Sequence, residues 1–291
     1  MAIDRLTMGL DRASKYSVFK KWKVADVALA VVFYIINLSI AYGKPFERQF
    51  YLGDPTISHP HAGTQRVGNT ALLVYSLVVP AVTIVVVSLL LGDAKHRTYL
   101  TYISLLGLFL SWTATNLLTD FLKNWIGRPR PDFLARCVPK EGTPLNTLVT
   151  ASEVCTTLNL GRLRDGFRST PSGHSSESFA GLGFLSLWLA GQLLVENPGV
   201  SHIRRTLATL PAIGAATIAI SRTEDYRHHF IDVVLGSVIG FYIAYKVYFA
   251  SFPSLSNELS FKPLLDDSDV QLSSAILERV ADEETAPLTA T

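Results

Sequence analysis

Three short segments of the chain contain the residue types that bind and transfer phosphoryl groups. They cover residues 123–131, 170–175 and 221–232 of a 291-residue sequence. Histidine can act as a nucleophile or as a proton carrier, and fixed cations bind anionic oxygens. The candidates are two histidines, one carboxylate and three cations: His174, His228, Asp232, Lys123, Arg130 and Arg222.

The third segment places a carboxylate four residues after a histidine. His228 and Asp232 share one face if both lie at the start of a helix. At this spacing the carboxylate of Asp232 can accept the imidazole N–H of His228, which fixes the tautomer. The other ring nitrogen of His228 is then free to act as a nucleophile or as a base.

The second segment predicts an anion site near that histidine. His174 follows residues 171–173 (Pro-Ser-Gly), a turn that leads into a helix, and the N–H groups at a helix N-terminus bind anions. Lys123, Arg130 and Arg222 add positive charge. Each feature alone is weak, because basic residues beside a span are commonly interfacial and Pro-Ser-Gly is a common turn. Together they predict a site for phosphoryl transfer.

The composition indicates that membrane-spanning helices position these segments. Hydrophobic residues make up 48% of the chain and charged residues 17%, whereas a soluble domain has about 25% charged residues. A net charge of +2 argues against a nucleic-acid partner. Apolar runs long enough to cross a bilayer predict an all-α, polytopic membrane protein. The six predicted spans are Val24–Tyr42, Ala71–Leu91, Tyr99–Leu122, Phe179–Val195, Ile203–Ile220 and Phe230–Ala250.

Basic residues ahead of the first span predict the orientation. Lys and Arg are frequent from Arg5 to Lys23, so this end is cytoplasmic by the positive-inside rule. Six spans then make both termini cytoplasmic and bring the three motif segments to the exoplasmic or lumenal face. We predict a basic cytoplasmic segment over residues 1–23, a six-helix transmembrane domain over 24–250 and an acidic, solvated cytoplasmic tail over 251–291.

The predicted exoplasmic loops contain two further pairs of residues. Cys137 and Cys155 both lie in the loop 123–178, where an oxidising compartment would permit one disulfide. His59 and His61 resemble a metal-binding pair, but no carboxylate or third ligand is spaced to complete a site. The disulfide is a hypothesis, and we predict no metal site.

The three segments together resemble the signature of the type 2 phosphatidic acid phosphatase superfamily, the lipid phosphate phosphatases. Residues 123–131 match Lys-x6-Arg-Pro, residues 171–174 match Pro-Ser-Gly-His, and residues 221–232 match Ser-Arg-x5-His-x3-Asp. The likeness extends from about Pro45 to Asp269, where the chain is similar to the fungal diacylglycerol pyrophosphate phosphatases of this superfamily.

The resemblance implies a role for each candidate. His228 would attack phosphorus and form a phosphohistidine, oriented by Asp232, while His174 would protonate the leaving oxygen and then activate water. The implied phosphate-binding groups are Lys123, Arg130, Ser172, Arg222 and the N–H of Gly173. The family needs no Mg²⁺ or other cofactor, which agrees with a site that has three cations and one placed carboxylate.

The implied substrate is a membrane lipid. Diacylglycerol pyrophosphate would be hydrolysed to phosphatidate, and phosphatidate to diacylglycerol. The resemblance also implies a multi-pass protein of the vacuolar membrane. Four further bases either contact the second phosphate of such a lipid or are ordinary loop cations: Arg128, Arg168, Arg227 and His229.

Three alternative functions remain at this point. A polyprenyl or sphingoid phosphate phosphatase of the same superfamily would match the motifs equally well. A non-catalytic lipid-binding scaffold would be expected to lack His174, His228 or Arg222, and all three are present. A transporter would be expected to have charge at mid-span, whereas Asp120 and Asp232 lie near predicted span ends. We therefore favour the lipid phosphate phosphatase, and the sequence indicates no particular protein partner.

Overall fold

The computed structural model describes residues 15–270, which are mostly helical. The basic residues Arg5 and Arg12 lie outside this range. The α-helices are α1 (Tyr16–Lys21), α2 (Val24–Ala41), α3 (Asn69–Leu73), α4 (Val79–Leu91), α5 (Arg97–Ile126), α6 (Phe133–Cys137), α7 (Ala151–Val154), α8 (Leu160–Asp165), α9 (Gly173–Ser178), α10 (Phe184–Gln192), α11 (His202–Glu224) and α12 (Phe230–Phe249).

Short non-α elements connect these helices. The π-helical segments Val74–Val78 and Phe179–Gly183 join α3 to α4 and α9 to α10, so that each pair forms one continuous helix. A 3-10 turn covers Pro55–Ile57. β1 (Phe50–Tyr51) and β2 (Leu148–Val149) pair as a small antiparallel sheet.

Four helices of the described range are long and apolar enough to cross a membrane, namely Val24–Ala41, Asn69–Leu91, Arg97–Ile126 and Phe230–Phe249. They correspond to the first, second, third and sixth predicted spans, and they support a helical membrane protein. The fourth and fifth predicted spans also lie on helices, formed by residues 173–192 and by α11. These two helices are too polar to qualify by composition.

The helix formed by residues 173–192 is surrounded by protein, which explains its polar composition. It packs against α5, α11 and α12, and its residues Phe184 and Trp188 are fully buried. Trp188 Nε1 donates a hydrogen bond to Ser104 Oγ at 2.7 Å. Because this helix contacts other helices rather than lipid, its sequence need not be apolar on every face.

The outer helices have the opposite character. Ala30 is the one buried residue of α2, and large apolar side chains such as Val32 and Ile35 point outward. On α12, Val238 and Tyr242 are likewise exposed. Rows of exposed apolar side chains on long helices are expected where a helix faces lipid.

A loop-rich layer covers one end of the helices. In this layer β1, β2, α6, α7 and α8 contribute to a hydrophobic cluster that contains Phe50, Phe133 and Phe167. Cys137 and Cys155 form a disulfide within the layer, which confirms the predicted pairing. The layer contributes loop residues that border the site described below.

The beginning of the acidic tail packs against the opposite end of the helices. Phe252 and Ser260 are buried, whereas the sequence predicts a solvated tail. His96 is paired with Asp266, and Lys21 Nζ lies 2.6 Å from Asp267 Oδ1. The start of the tail is therefore partly packed against the helices rather than fully solvated, because apolar residues interrupt the acids there. The remaining tail acids lie outside the described residues: Glu278, Asp282, Glu283 and Glu284.

Candidate active site

The three motif segments meet around one cavity of about 440 Å³ at the end of the helices that the loop-rich layer covers. The last turn of α5, the start of α9, the last turn of α11 and the loop before α12 all contribute side chains to it. Six of the predicted site residues line the cavity: Lys123, Arg130, Gly173, His174, Arg222 and His228. Three motifs that are distant in sequence thus border one cavity.

His228 is held as a neutral imidazole with one nitrogen available. The side chain is buried, and Nδ1 lies 2.7 Å from the carbonyl oxygen of Ser169. A carbonyl can only accept, so Nδ1 carries the proton and Nε2 keeps its lone pair. Burial, together with the positive charges of Arg130 and Lys123, lowers the pKa of His228 well below its usual value.

Asp232 does not contact His228 in the way that the sequence predicts. Helix α12 begins at Phe230 with His229 as its N-cap, so His228 precedes the helix and the four-residue spacing does not align the two side chains. Asp232 instead completes a capping box, accepting the backbone N–H of His229 at 3.0 Å. Its Oδ2 also accepts the hydroxyl proton of Ser169 at 2.6 Å. Asp232 therefore reaches His228 through Ser169.

Two of the four further bases are bound to this carboxylate. Arg128 Nη1 lies 2.8 Å from Asp232 Oδ1, and His229 Nδ1 lies 3.1 Å from Oδ2. Arg168 and Arg227, by contrast, line the cavity. The structure therefore separates the four bases into two that support Asp232 and two that can meet a substrate.

His174 lines the same cavity as His228, and a backbone carbonyl also fixes its tautomer. Its Nε2 is 3.0 Å from the carbonyl oxygen of Val67 and must donate to it, which leaves Nδ1 for an exchangeable proton. Burial and the neighbouring Arg222 and Lys123 lower the pKa of His174 to about 3. The same cations that disfavour imidazolium would attract a phosphate.

The guanidinium groups of the site are fixed by acceptors on other segments. Arg130 donates from Nε to the Asp165 carbonyl at 2.9 Å and from Nη2 to Asp165 Oδ1 at 2.8 Å. Arg222 donates from Nη1 to Gln65 Oε1 at 2.9 Å and forms an ion pair with Asp225. Bidentate and charge-assisted contacts of this kind hold the cations in place before a ligand binds.

Ser172 and Gly173 differ in their positions. Ser172 is buried and caps α9, accepting from Ser175 N at 3.4 Å and from Ser175 Oγ at 2.9 Å. The side chain that the resemblance assigns to phosphate binding thus serves the helix, because an N-cap hydroxyl is oriented toward the first turn. Gly173 does line the cavity, and a Cβ there would lie 2.5 Å from Lys123 Nζ.

The sequence profile of the PAP2 superfamily matches residues 104–254, a range that includes all three motif segments. This chain belongs to the PAP2 superfamily. The resemblance identified from the motifs is thereby confirmed.

Named relatives agree with this assignment. The chain is 55% identical to diacylglycerol pyrophosphate phosphatase 1 of Saccharomyces cerevisiae over 94% of its own length and 95% of that protein. It is 40% identical to the probable diacylglycerol pyrophosphate phosphatase 1 of Schizosaccharomyces pombe, over 79% and 80% of the two chains. It is 33% identical to lipid phosphate phosphatase 2 of Arabidopsis thaliana, over 80% and 78%. No solved structure matches the chain.

Several residues of the cavity lie outside the PAP2 motifs and were not found from the sequence. Asp165, Gln65 and Glu177 all line it. Burial raises the pKa of Asp165, but Arg130 and Arg136 outweigh it and hold that pKa well below its usual value. None of the three belongs to a recognisable pattern, so nothing in the sequence signals them.

His61 also has a contact that the sequence does not indicate. Its Nδ1 lies 2.6 Å from Oδ2 of the fully buried Asp132, which also receives two hydrogen bonds from Arg136. Within residues 15–270, no group of three or more His, Cys, Asp or Glu side chains is arranged to hold a metal ion. His61 is therefore part of an ion-pair network in the loop-rich layer.

Proposed function

We propose that this chain is a membrane-bound lipid phosphate phosphatase that hydrolyses diacylglycerol pyrophosphate to phosphatidate, and phosphatidate to diacylglycerol. The observation that carries the proposal is that two histidines, His228 and His174, line one cavity together with fixed cations. Each ring has one nitrogen bound to a backbone carbonyl, and the other is left for chemistry.

The first step transfers the phosphoryl group to the protein. Nε2 of His228 forms a bond to phosphorus while the bond from phosphorus to the leaving oxygen breaks. His174, protonated on Nδ1 once the anionic substrate is bound, passes that proton to the leaving oxygen. Lys123, Arg130 and Arg222 stabilise the charge on the three equatorial oxygens, which is the main task in phosphoryl transfer.

The second step clears the intermediate. His174, now neutral, accepts a proton from water, whose oxygen bonds to phosphorus as the P–N bond to His228 breaks. Inorganic phosphate then leaves. A phosphate bound in the cavity offsets the cations that lower the pKa of His174, so the substrate itself promotes the protonated form that the first step needs.

The charges of the site support a reaction without Mg²⁺. Arg130, Arg222 and Lys123 can neutralise a phosphate as a metal ion would. Asp165 lines the cavity, but its carboxylate already accepts hydrogen bonds from Arg130 and Arg136. The proposed enzyme therefore needs no cofactor.

We further propose six spans with both termini cytoplasmic and the site at the lumenal face of a vacuolar membrane. Two observations support the six spans and their orientation, while the vacuolar membrane is what the resemblance implies. Residues 173–192 and α11 each form helices of membrane-spanning length. The basic residues Lys20, Lys21 and Lys23 lie at the start of the first apolar helix, and the last turn of α5 brings Lys123 to the cavity at the other end of the bundle.

The test is phosphate release from diacylglycerol pyrophosphate in detergent micelles that contain EDTA. Wild type should release phosphate, and His228→Ala should not, with circular dichroism showing that the variant keeps its helices. A wild type that acts instead on polyprenyl or sphingoid phosphates would redirect the substrate assignment. Activity that persists in His228→Ala would contradict the mechanism.

A further inference from the structure

We refer to the cavity that contains His174 and His228 as the catalytic cavity. A second cavity of about 720 Å³ lies beside it. It is a groove between the helix formed by residues 69–91 and α11, and we refer to it as the lateral groove. Its lining is mainly apolar and includes Tyr75, Val79, Leu182, Ile218 and Ile220. Tyr75, Val79 and Ile220 are also exposed on the outside of the bundle, so the groove opens toward the bilayer.

The lateral groove and the catalytic cavity are neighbours along two separate stretches of chain. Gln65 lines the cavity while the next residues, Arg66 and Val67, line the groove. Arg222 lines the cavity and Ser221 lines the groove. The carbonyl oxygen of Val67 is also the acceptor of the His174 N–H, at 3.0 Å. A residue at the polar end of the groove therefore accepts a hydrogen bond from His174, the proposed general acid.

Two π-helical segments and a glycine border the lateral groove. The π-helical segments Val74–Val78 and Phe179–Gly183 pack together, with Gly181 directly against the Ser76 carbonyl. π-Helical turns occur frequently at functional sites. On the facing helix, a Cβ at Gly214 would meet only Leu182 Cδ1, at 3.8 Å. Larger side chains at this position would fill the groove.

We propose that the lateral groove holds an acyl chain of the lipid phosphate substrate while the headgroup lies in the catalytic cavity. This inference depends on the proposed function and specifies how the lipid is recognised. The groove lies within the usual size range of ligand sites, its lining is apolar, and one end lies at the cavity that receives the phosphate. Arg66 and Glu224 form an ion pair of 2.6 Å at that end, where a glycerol ester would leave the apolar region.

A comparable groove elsewhere provides a contrast. A cavity of about 450 Å³ is lined by apolar side chains of α12 that include Val238 and Phe241. Within the described chain, no residue that lines this α12 cavity is adjacent in sequence to a residue that lines the catalytic cavity. Proximity to the cavity therefore distinguishes the lateral groove.

The test uses a matched pair of threonines on α11. Thr217 lines the lateral groove. Thr209, two turns earlier on the same helix, is exposed and is not among the residues that line the groove. Each hydroxyl donates to a carbonyl four residues earlier, at 3.0 Å for Thr217 and 3.3 Å for Thr209. Thr217→Phe and Thr209→Phe therefore differ in whether the added ring enters the groove. Gly214→Leu provides a second obstruction.

Each variant is assayed with dioleoyl and with dibutyryl diacylglycerol pyrophosphate, which share one headgroup. Because blocking the groove removes apolar contacts of the long chain, Thr217→Phe and Gly214→Leu should lower kcat/KM for the dioleoyl lipid by about tenfold or more. Activity on the dibutyryl lipid should stay within about twofold of wild type, since a short chain makes few such contacts. Thr209→Phe should match wild type with both lipids.

Equal losses with both lipids, or equal effects of Thr217→Phe and Thr209→Phe, would overturn the proposal. Failure of wild type to hydrolyse either lipid would instead contradict the proposed function. Crosslinking then still tests the groove. A phosphatidate with a diazirine in its acyl chain should label α4 or α11 in wild type and label them less in Thr217→Phe. Labelling of α12 alone would overturn the inference.

Discussion

Asp232 and His228 are linked by hydrogen bonds to the same residue, Ser169. The carboxylate of Asp232 accepts the Ser169 hydroxyl at 2.6 Å, and the carbonyl of the same serine accepts Nδ1–H of His228 at 2.7 Å. The backbone that orients the proposed nucleophile is thus fixed by a carboxylate at the start of the next helix. Removing the carboxylate and removing the hydroxyl should therefore have different consequences.

Asp232→Asn should lower both activity and stability. The change leaves the guanidinium of Arg128 without its counter-charge and weakens the capping box, at a cost of about 1–3 kcal/mol in the free energy of unfolding. Ser169→Ala removes one hydrogen bond but keeps the carbonyl that binds His228, so its cost should be about 1 kcal/mol. Thermal unfolding and kcat/KM, measured side by side, check the order. A larger effect of Ser169→Ala would show that the hydroxyl matters more than the charge.

His174→Ala should slow the reactions of the two substrates to different extents, because the substrates release different leaving groups. Phosphatidate, expelled from diacylglycerol pyrophosphate, is a weaker base than the alkoxide expelled from phosphatidate, and it needs less proton donation. Loss of a general acid typically costs about 10²–10⁴-fold in rate. We expect acid-quench measurements to show that His174→Ala slows formation of phosphohistidine more with phosphatidate than with diacylglycerol pyrophosphate. Similar slowing with both lipids would contradict a role in leaving-group protonation.

The acidic limb of the pH profile should depend on the cations around His228. Only neutral His228 can attack phosphorus, and Arg130 and Lys123 help to lower its pKa by disfavouring the imidazolium. Arg130→Gln removes one positive charge, so the pKa of His228 should rise and the acidic limb of kcat/KM should move to higher pH. Lys95→Gln, outside the cavity lining, is the control and should leave the limb unchanged. A shift to lower pH in Arg130→Gln would refute this assignment.

Gly173→Ala should displace Lys123 without unfolding the protein. The added Cβ would lie 2.5 Å from Lys123 Nζ, the flexible end of a long side chain, so the lysine can move away. Misplacement of a phosphate-binding group by about 1 Å can cost about 100-fold in rate. Gly161→Ala is the matched control, because its Cβ would meet only Asn159 Oδ1 at an ordinary 3.6 Å. Unchanged kcat/KM in Gly173→Ala would indicate that Lys123 is not needed where the structure places it.

The sequence predicts the members of the site better than their connections. Lys123 and His228 could be predicted as site residues because each belongs to a sequence motif. The spacing of a motif does not depend on how the helices pack. The link from Asp232 to His228 was wrong because it depended on a helix boundary, and α12 begins two residues after the histidine. Asp165, which holds Arg130, lies 35 residues away from it and becomes a neighbour only through folding.

The apolar runs Phe179–Val195 and Ile203–Ile220 predicted two helices whose full composition is too polar for a membrane span. Hydropathy identifies a span by its contact with lipid, and the helix around Trp188 contacts protein. The reason for its polar residues becomes clear only from the packing of the helices. The lateral groove could not be predicted from the sequence. Gly214 and Leu182, which line it, lie on different helices and become neighbours only through folding.

The packed start of the C-terminal segment limits how the protein can be engineered. Phe252 and Ser260 fill space beside Tyr248 and Gly191, and Asp266 and Asp267 are paired with groups ahead of α5 and α2. A recombinant form cut at residue 250 would therefore expose buried surface and lose the contacts that Ser260, Asp266 and Asp267 make with Gly191, His96 and Lys21. Purification tags and fluorescent fusions belong after the final residue, and a shortened version should retain everything up to residue 270.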